Sequence, residues 1–429
     1  MLTIVCVVGL GKIGLPLAAQ FASEGMTVIG VDVNPAVIEA VNYRDMPLPF
    51  DEPGLALRLS EARAQRRIYA TTDTRVAVRE SDVIVMLVPV IANSGGEIDF
   101  SAMDAATREV AAALRPGTLV IYETTLPVGA TRNRYGLMLA EGSGLTMGTD
   151  FFLAFSPERV YSGRIFEDLR TYPKIVGGVN EASTERAAAF YRQALETRVW
   201  PMRNAEAAEM VKVAETTYRD INIAYANELA RYADAYGLDV AEIIAAANSQ
   251  PYSHIHQPGV GVGGHCIPNY SHFFIRTAPE GGMILARAAR QINDGMGAYA
   301  VEKLQTVLGG LEQCEVLILG LSYRGEVKEA AFSPAFQLKR ALETAGARVY
   351  LHDPFFSDEE IRGCGFEPAS LTSPPPVDAI ILQANHKAYR DLDLSRFTGC
   401  RVVLDGRRAL NPEGVEGAGM RYLAVGKGD

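Results

Sequence analysis

Residues 3–32 of the 429-residue chain read TIVCVVGLGKIGLPLAAQFASEGMTVIGVD. The apolar, β-branched run Thr3–Val8 predicts a buried strand, the glycine turn GLGKIG follows it, Leu17–Phe21 has a helical pattern, and Met26–Val31 predicts a second strand that ends at an acid. This is the order of a βαβ dinucleotide-binding unit, whose glycines make the turn, admit the pyrophosphate and let helix and strand pack closely. The alternative is a glycine turn in a nucleotide-free α/β fold.

The acid after the second strand predicts which dinucleotide binds. Asp32 would accept hydrogen bonds from ribose hydroxyls and repel a 2′-phosphate, which favours NAD over NADP. The predicted cofactor contacts are the fingerprint residues and three residues near later strand ends: Gly9, Gly11, Lys12, Ile13, Gly14, Asp32, Val88, Pro89 and Thr125.

Composition excludes several classes of function. The formal net charge is -10, with no block of consecutive Lys or Arg, which argues against nucleic-acid and anionic-membrane surfaces because these bind through clustered cations. Hydrophobic residues make up 48% of the chain, as in globular proteins, and no apolar run reaches membrane-spanning length. We expect neither a nucleic-acid partner nor a membrane, although a local pocket for a phosphorylated small molecule stays compatible with this charge.

The cysteines predict a reducing compartment. There are five of them, an odd number, widely spaced and without metal-ligand spacing: Cys6, Cys266, Cys314, Cys364 and Cys400. This pattern predicts a reduced, cytoplasmic protein without a structural metal site. The apolar first residues run directly into the glycine fingerprint, so they are interpreted as a strand and not as a signal peptide.

Strands and helices continue to alternate after the fingerprint. Further strand-like runs and the helical patterns between them are Val83–Val88, Ser101–Leu114, Leu119–Tyr122, Ala130–Ala140 and Phe151–Phe155. The alternation predicts a doubly wound parallel sheet, in which ligands bind beyond the carboxyl ends of the strands. Thr125 and Glu158 follow two of these strands, so we expect them where a substrate would lie beside a nicotinamide; a helix-capping or turn role is the alternative for each.

A long helix is predicted over Asn204–Tyr236, which contains neither Pro nor Gly. Lys212, Glu215, Arg219 and Asn222 recur every three or four residues and therefore share one face. That face is compatible with a buried polar site, although a lone helical lysine is usually solvated. A helix of this length between two α/β lobes is also a natural dimer surface.

The last third predicts a second α/β lobe. After two helical patterns at Met283–Met296 and Tyr299–Leu308, strands and a helix are predicted at Glu315–Gly320, Ser333–Ala345, Ala347–His352, Val377–Leu382 and Arg401–Leu404. The pattern repeats the first lobe with one glycine in place of three, as in a degenerate nucleotide-binding half. The predicted architecture is two Rossmann-like, doubly wound parallel-sheet lobes, at 1–200 and 301–429, joined by a central helical segment at 201–300.

One further stretch, GVGVGGHCIP at Gly259–Pro268, surrounds Cys266 with glycines. Glycines permit positive φ and close approach of a ligand, so the loop could present the sulfur as a nucleophile. An inert, buried cysteine in a glycine-rich turn is the alternative, because unpaired cysteines are often buried.

Several of these motifs together resemble one family. The chain resembles the UDP-glucose/GDP-mannose dehydrogenases over nearly its full length, through GLGKIG with Asp32, ETTLPVGAT, SPERVYSGR, AEMVKVAETTYRDINIAYANELA, GVGVGGHCIP and GLSYRG. It is most similar to the branch that acts on UDP-N-acetylhexosamines. The resemblance implies a four-electron oxidation of a sugar C6 alcohol to a carboxylate, with two NAD used in turn.

The resemblance also implies residue roles. Cys266 matches the nucleophile that forms a thiohemiacetal and then a thioester, and Lys212 matches the lysine that assists proton transfer and holds oxyanion charge. Glu158 matches the glutamate credited with water or thioester chemistry, and Thr125 the threonine that positions a water. The implied substrate contacts are Arg159, Val160, Lys212, Arg219, Asn222, Gly263, Tyr323 and Arg324. No metal is implied, and the implied assembly is a homodimer through the central helix.

The chain departs from the family pattern at several positions. Tyr270 replaces an aspartate that would orient Lys212 and water, and Thr216 replaces an asparagine. The remaining departures, at positions that carry arginine or histidine in the family, are Ser249, Gln250, Tyr252 and Ala331. Two alternatives therefore stay open: a two-electron hydroxyacid-type NAD oxidoreductase, and a nucleotide-sugar-binding protein without turnover.

Overall fold

The computed structural model describes residues 3–43, 46–48, 50–93 and 95–428. The chain forms two compact units. The first comprises Met1–Glu215 with His272–Thr277, and the second comprises Thr216–Ser271 with Ala278–Asp429. The three-part division at residues 200 and 300 stays a prediction.

The first unit is built on an eight-stranded sheet. Its strands, with the short pair β5 and β6, are β1 Ile4–Val8, β2 Thr27–Val31, β3 Ile68–Thr71, β4 Val83–Met86, β5 Ile91–Ala92, β6 Ile98–Asp99, β7 Leu119–Tyr122, β8 Phe152–Phe155, β9 Lys174–Gly178 and β10 Val199–Pro201. The order is β10-β9-β8-β7-β4-β1-β2-β3. All neighbours are parallel except β8 and β9, which are antiparallel. The direction of winding reverses at β1, and in such sheets ligands bind at that point.

Helices cover this sheet. They are α1 Gly14–Ser23, α2 Pro35–Asn42, α3 Leu55–Ala64, α4 Thr74–Glu80, α5 Ser101–Ala111, α6 Leu137–Ser143, α7 Ile165–Thr171 and α8 Glu181–Ala194. Side-chain oxygens of Asn34, Asp73 and Asn180 accept from first-turn N–H groups and so fix where α2, α4 and α8 begin. The single helix predicted over Ala130–Ala140 is instead a π-helical segment, Thr131–Gly136, followed by α6.

The remaining elements start with the long helix. They are α9 Ala205–Ala235, α10 Val240–Ala247, α11 Ile267–Thr277, α12 Ile284–Leu308, β11 Glu315–Leu319, α13 Pro334–Thr344, β12 Arg348–His352, α14 Asp358–Gly363, β13 Glu367–Pro368, β14 Ala379–Leu382, β15 Val402–Asp405, α15 Pro412–Gly417 and β16 Arg421–Ala424. The six strands form a parallel sheet in the order β13-β12-β11-β14-β15-β16. The two-lobe α/β class and the long helix are therefore confirmed.

Two helical predictions differ from the structure. Met283–Met296 and Tyr299–Leu308 belong to one continuous helix, α12. Gly297 does not end this helix; it allows close packing against α13, where a Cβ at Gly297 would lie 3.1 Å from Cβ of Gln337. The segment after Cys266 is a helix, α11, for which no element was predicted.

The second sheet repeats the turn of the first. Gly9 and Gly320 both have positive φ, 96° and 110°. Each donates its N–H at 2.8 Å to the carbonyl of the last residue of the neighbouring strand. Leu10 and Leu321 then donate at 2.8 Å to Asp32 and Asp353. The second lobe therefore repeats the strand–turn geometry of the first, as the sequence predicts.

The N-terminal part of α9 is anchored to the loop that follows β7. Both carboxylate oxygens of the buried Glu209 accept backbone N–H groups, from Gly129 at 2.5 Å and Thr131 at 2.8 Å. One helical turn earlier, the partly exposed Glu206 pairs with Arg132 at 2.5 Å. The two glutamates thus make a buried and a partly exposed attachment on the same helix.

We expect Glu209→Ala to lower the free energy of unfolding by about 2–4 kcal/mol, because each buried N–H left without an acceptor costs about 1–3 kcal/mol. Glu206→Ala is the matched control and should cost less than about 1 kcal/mol. Urea unfolding of both variants measures the difference. Equal losses would show that the Glu209 anchor does not hold the loop.

Candidate active site

The glycine fingerprint leaves one side of its turn open. A Cβ on Gly14 would lie 1.8 Å from the carbonyl oxygen of Gly9, and a Cβ on Gly9 would lie 3.0 Å from the carbonyl carbon of Leu87, so both positions require glycine. A Cβ on Gly11 would meet no atom within 4 Å among the described residues. The backbone at Gly11 is therefore accessible to a ligand, and α1 begins three residues later with its N-terminus toward that side.

Asp32 has a fixed orientation beside this turn. Its carboxylate accepts from the N–H groups of Leu10 and Asn34, both at 2.8 Å. A carboxylate offers about four acceptor sites, so two remain for ribose hydroxyls. The open glycine turn, the helix N-terminus and this acid fit NAD, which Gly9, Gly11, Gly14 and Asp32 would hold.

The other predicted cofactor residues lie around the same strand ends. The backbone nitrogen of Val88 would be 3.2 Å from a Cβ on Gly9, so the residues after β4 lie against the turn. Pro89 and Lys12 are exposed, and Ile13 is half-buried. Thr125 is buried, three residues beyond the end of β7.

Three charged side chains meet where β7, β8 and β9 come together. β9 is antiparallel to β8, with Phe155 opposite Gly177, so the first residue of β9, Lys174, lies at the edge where β8 ends. Its ammonium is bonded to the carboxylate of Glu123, which follows β7, and at 3.0 Å to Glu158, which follows β8. We call Glu123, Lys174 and Glu158 the charged triad.

The triad shifts the pKa values of its two carboxyl groups in opposite directions. Burial raises the pKa of Glu123 to about 7, although Lys174 acts in the opposite direction. Burial would also raise the pKa of Glu158, but Lys174 and the N–H groups of Arg159 and Val160, at 2.6 and 3.0 Å, together hold that pKa below its ordinary value. Glu158 is thus an ionised, oriented carboxylate.

Lys212 lies on α9 between two residues that bind the same strand ends. Glu209 precedes it by three residues and accepts from the loop after β7, while Glu215 follows it by three and pairs with Arg159 at 2.9 Å. Residues three apart share one helix face, and Lys212 is itself buried. Lys212 therefore lies on the face of α9 that also carries the two glutamates bound to the loops after β7 and β8.

The Cys266 loop belongs to the second unit and is held through its backbone. Gly259 donates to Asn227 of α9 at 2.9 Å, and Gly264 donates to the carbonyl of Ala331 at 2.9 Å. Cys266 is exposed and directly precedes α11, and Tyr270 donates its N–H to the Cys266 carbonyl at 2.9 Å. Cys266 therefore lies at the N-terminal end of a helix, on a loop whose position is set by backbone hydrogen bonds.

The other cysteines differ in environment from Cys266. Burial raises the pKa of the Cys6 thiol to about 12 and that of Cys400 to about 11, and burial also raises the pKa of Cys314. A thiol that stays protonated is a poor nucleophile. Cys266 differs from these three buried cysteines because it is exposed, and Cys364 is intermediate in exposure.

The structure brings some predicted substrate residues together. A Cβ on Gly263 would lie 2.7 Å from Cβ of Tyr323, whose hydroxyl accepts from Arg324 at 3.1 Å. The GLSYRG turn therefore packs directly on the Cys266 loop. Val160 is half-buried after β8, packed against the core of the first unit.

Two other predicted contacts, Arg219 and Asn222, lie on α9 beside the segment before the Cys266 loop. Asn222 donates to the His254 carbonyl at 2.7 Å and accepts from the His256 N–H at 2.8 Å. Burial, and secondly the charge of Arg219, lowers the pKa of His256. Asn222 thus positions this segment, and its contact with a substrate stays a prediction.

The departures from the family pattern occupy different environments. Tyr270 lies in the first turn of α11, Thr216 is buried on α9, and Tyr252 is 92% exposed. Ala331 contributes its backbone carbonyl to the Cys266 loop, a bond that any residue could make. Losing an arginine side chain at this position therefore leaves the attachment of the loop intact.

Several residues of the site were missed from sequence. Glu123 directly follows β7, so it could have been found by the rule that ligands bind beyond the carboxyl ends of the strands, which pointed to Thr125. Lys174 begins an antiparallel strand that no motif marks.

Arg407 donates to both the carbonyl and side-chain oxygens of Gln383, at 2.5 and 3.0 Å, and to the Gly261 carbonyl at 3.5 Å. Burial lowers the pKa of Arg407 to about 10.

Gln383 extends this connection to the GLSYRG turn. Its amide donates to the carbonyls of Gly320 and Ser322 at 2.9 and 2.8 Å. The Cys266 loop and the turn that carries Tyr323 are therefore joined by one hydrogen-bonded network.

Across the described part of the chain, no helix combines the length and apolarity needed to cross a membrane.

Three family models match successive parts of the chain. They are the NAD binding, central and UDP binding domains of the UDP-glucose/GDP-mannose dehydrogenase family, over residues 3–195, 206–295 and 317–412.

The chain is also similar to individual proteins over nearly its full length. It is 35% identical to the UDP-N-acetyl-D-mannosamine dehydrogenase of Pyrococcus horikoshii, covering 99% of each chain. It is 31% identical to the NDP-N-acetyl-D-galactosaminuronic acid dehydrogenase of Ralstonia solanacearum, covering 94% of this chain and 95% of the other. The solved structure of the P. horikoshii UDP-D-ManNAc dehydrogenase superposes with a TM-score of 0.87 at 32% identity, with complete coverage of both chains.

The two fingerprint glycines give a matched pair of variants. Gly14→Ala should lower the melting temperature, because its Cβ would overlap the Gly9 carbonyl oxygen. Gly11→Ala should melt like the wild type but bind NADH at least about tenfold more weakly, a loss of about 1.4 kcal/mol. Thermal unfolding and fluorescence titration with NADH measure both effects. Unchanged NADH binding by Gly11→Ala would place the pyrophosphate elsewhere.

Proposed function

The chain belongs to the UDP-glucose/GDP-mannose dehydrogenase family, and we propose that it oxidises the C6 alcohol of a UDP-linked N-acetylhexosamine to a carboxylate through Cys266. It is an NAD-dependent nucleotide-sugar dehydrogenase, and the proposal concerns the sugar, the number of electrons and the residues. The observation that carries it is Cys266 itself, exposed at the start of α11 in a loop held by its backbone.

The substrate class rests on two supports. Residues 317–412 match the UDP binding domain of the family, and this segment includes Tyr323 and Arg324, which we assign to the nucleotide sugar. Two similar proteins are named for sugars that carry an N-acetyl group, UDP-N-acetyl-D-mannosamine and an N-acetyl-D-galactosaminuronic acid. An N-acetylhexosamine is therefore the first substrate to test.

The proposed four-electron oxidation takes place in two successive two-electron oxidations, both at C6. NAD, when bound, accepts the hydride in each of them. The Cys266 thiolate attacks the C6 aldehyde after the first oxidation and forms a thiohemiacetal, and the second oxidation leaves a thioester on the sulfur. Water then hydrolyses the thioester, which releases the uronate and the thiolate.

The other residues supply charge and orientation. Lys212 is buried beside the strand ends and would stabilise oxyanion charge or move a proton at the reacting oxygen. Glu158 is ionised and fixed by two backbone N–H groups, so it would orient the attacking water, together with the buried Thr125. Arg159 and Val160 would contact the substrate beside them.

A homodimer is part of the proposal. On α9, Tyr218, Tyr225 and Tyr232 are 57%, 51% and 62% exposed and recur every seven residues, so they form one aromatic stripe. Tyrosine is enriched in protein interfaces, so this exposed stripe is the surface that we assign to the contact between subunits. We also assign the protein to the cytoplasm, where its five cysteines would stay reduced.

Cys266→Ala should stop acid formation while allowing the first oxidation. Purified wild-type protein given a UDP-N-acetylhexosamine should form about two NADH per sugar, as a thioester route requires. The variant should form no uronate, because no thioester can be made. Cys364→Ala, at a partly buried cysteine that directly follows α14, is the control and should behave like the wild type. One NADH per sugar with released aldehyde, or full acid formation by Cys266→Ala, would overturn the mechanism.

The aromatic stripe predicts a change in assembly. Replacing Tyr225 and Tyr232 together by Lys should convert the dimer to a monomer, because charged side chains would be buried at the interface. Tyr252→Lys, at an exposed tyrosine outside the stripe, should leave the mass unchanged. Sedimentation velocity distinguishes the two results. A double variant with the wild-type mass would show that α9 is not the interface.

A further inference from the structure

The charged triad forms a hydrogen-bonded chain that leads inward from the proposed reaction site. The side chains of Glu158, Lys174 and Glu123 are 12%, 6% and 0% exposed, in that order. Lys174 is bonded to both carboxylates, so it is the middle member. The outer end is Glu158, the glutamate that would orient the attacking water, and the inner end is Glu123, which the mechanism described so far does not use.

The triad contains more negative charge than an ion pair needs. One ammonium faces two carboxylates, and burying a second carboxylate costs several kcal/mol unless it is fully paired. Glu123 is less well paired than Glu158, because among the described residues its Oε2 has no hydrogen bond of good geometry and only the Tyr191 hydroxyl faces its carboxyl group. A site with one surplus buried negative charge favours the uptake of one proton.

The two glutamates differ in which one can keep that proton. One oxygen of Glu158 accepts from Arg159 and Val160 and the other from Lys174, and these bonds favour its ionised form. The surroundings of Glu123 favour its protonated form, since burial raises its pKa to about 7. A proton delivered to Glu158 would thus be more stable on Glu123.

We propose that Lys174 and Glu123 carry away the proton released when water hydrolyses the Cys266 thioester, an inference that rests on the proposed function. The water oxygen bonds to the thioester carbon, the C–S bond breaks, and the electron pair of that bond stays on the Cys266 sulfur. The proton released by the water passes to Oε2 of Glu158. Glu158 passes this proton on to Lys174, and Lys174 gives one of its ammonium protons to Glu123. Lys174 and Glu158 return to their starting charges, and Glu123 ends as a neutral acid.

Among the described residues, few titratable groups surround Glu123. Lys174 of β9 and Glu158 face it directly, and the Tyr191 hydroxyl of α8 faces both Glu123 and Ser156. Lys174 also lies over the Tyr191 ring, 4.9 Å from its centre. Burial and the neighbouring carboxylates raise the pKa of Tyr191 well above its ordinary value, so Glu123 is the group of this cluster that changes charge near neutral pH.

Lys174→Arg separates a relay from a purely structural ion cluster. Arginine keeps the positive charge and can bond to both carboxylates, but it does not give up a proton in proteins. The variant should therefore fold and form two NADH in a first turnover, while thioester hydrolysis slows by about 100-fold, within the range of general acid–base contributions. Rapid quench and intact-mass analysis should detect enzyme in which Cys266 is acylated by the nucleotide sugar.

Glu123→Gln is the second test and is nearly isosteric. Above about pH 7 the wild-type Glu123 is ionised and can accept a proton, so the wild-type hydrolysis rate should rise with pH through that region. Glu123→Gln should lose this inflection and hydrolyse at least about tenfold more slowly, with KM for the UDP-sugar little changed. Its melting temperature should equal or exceed that of the wild type, because a surplus buried charge is removed.

The outcomes separate this inference from the proposed function. Wild-type rates of thioester hydrolysis in Lys174→Arg, or an unchanged pH inflection in Glu123→Gln, would overturn the relay while two NADH per sugar still supported the dehydrogenase mechanism. One NADH per sugar in the wild type would overturn the thioester route, and the relay with it. An acyl-enzyme that accumulates in both variants supports the relay.

Discussion

The buried ammonium of Lys174 constrains the whole sheet edge at which the chemistry is proposed. A lysine side chain that is only 6% exposed requires carboxylate partners, and it finds them at the ends of two different strands. This is possible because β9 runs antiparallel to β8 and so begins where the parallel strands end. One reversed strand thereby places a cation between the acids that follow β7 and β8.

The long helix continues this arrangement. Glu209 and Glu215 of α9 bind the loops that follow β7 and β8, and Lys212 lies between them on the same face. The loops therefore depend on α9 for their position as well as on the strands. Lys174 is engaged by two carboxylates at these strand ends, and for Lys212 we propose a role toward the substrate.

Much of the fold could be predicted because its signals are local. The βαβ unit of residues 4–31, the helix Ala205–Ala235 and the repeated turn at Gly320 each follow from short-range pattern and glycine position. The triad could not be predicted in the same way, because Lys174 and Glu158 are paired by strand direction, which periodicity does not reveal. Helix α11 was missed since glycine and proline beside Cys266 indicate a turn, although proline is well tolerated in the first turn of a helix.

The two lobes show how the same backbone can serve different purposes. In both, a leucine N–H after the glycine turn donates to an aspartate at the end of the next strand. Asp32 keeps acceptor capacity toward a ligand, but Asp353 is 2% exposed and also accepts from Ser322 and contacts His386 at 3.2 Å. Bonds from His386 and the backbone, working against burial, hold the pKa of Asp353 below its ordinary value. Because that carboxylate is used internally, it has less acceptor capacity for a ribose than Asp32 has, and we expect recognition in the second lobe to depend on side chains of the turn, such as Tyr323 and Arg324.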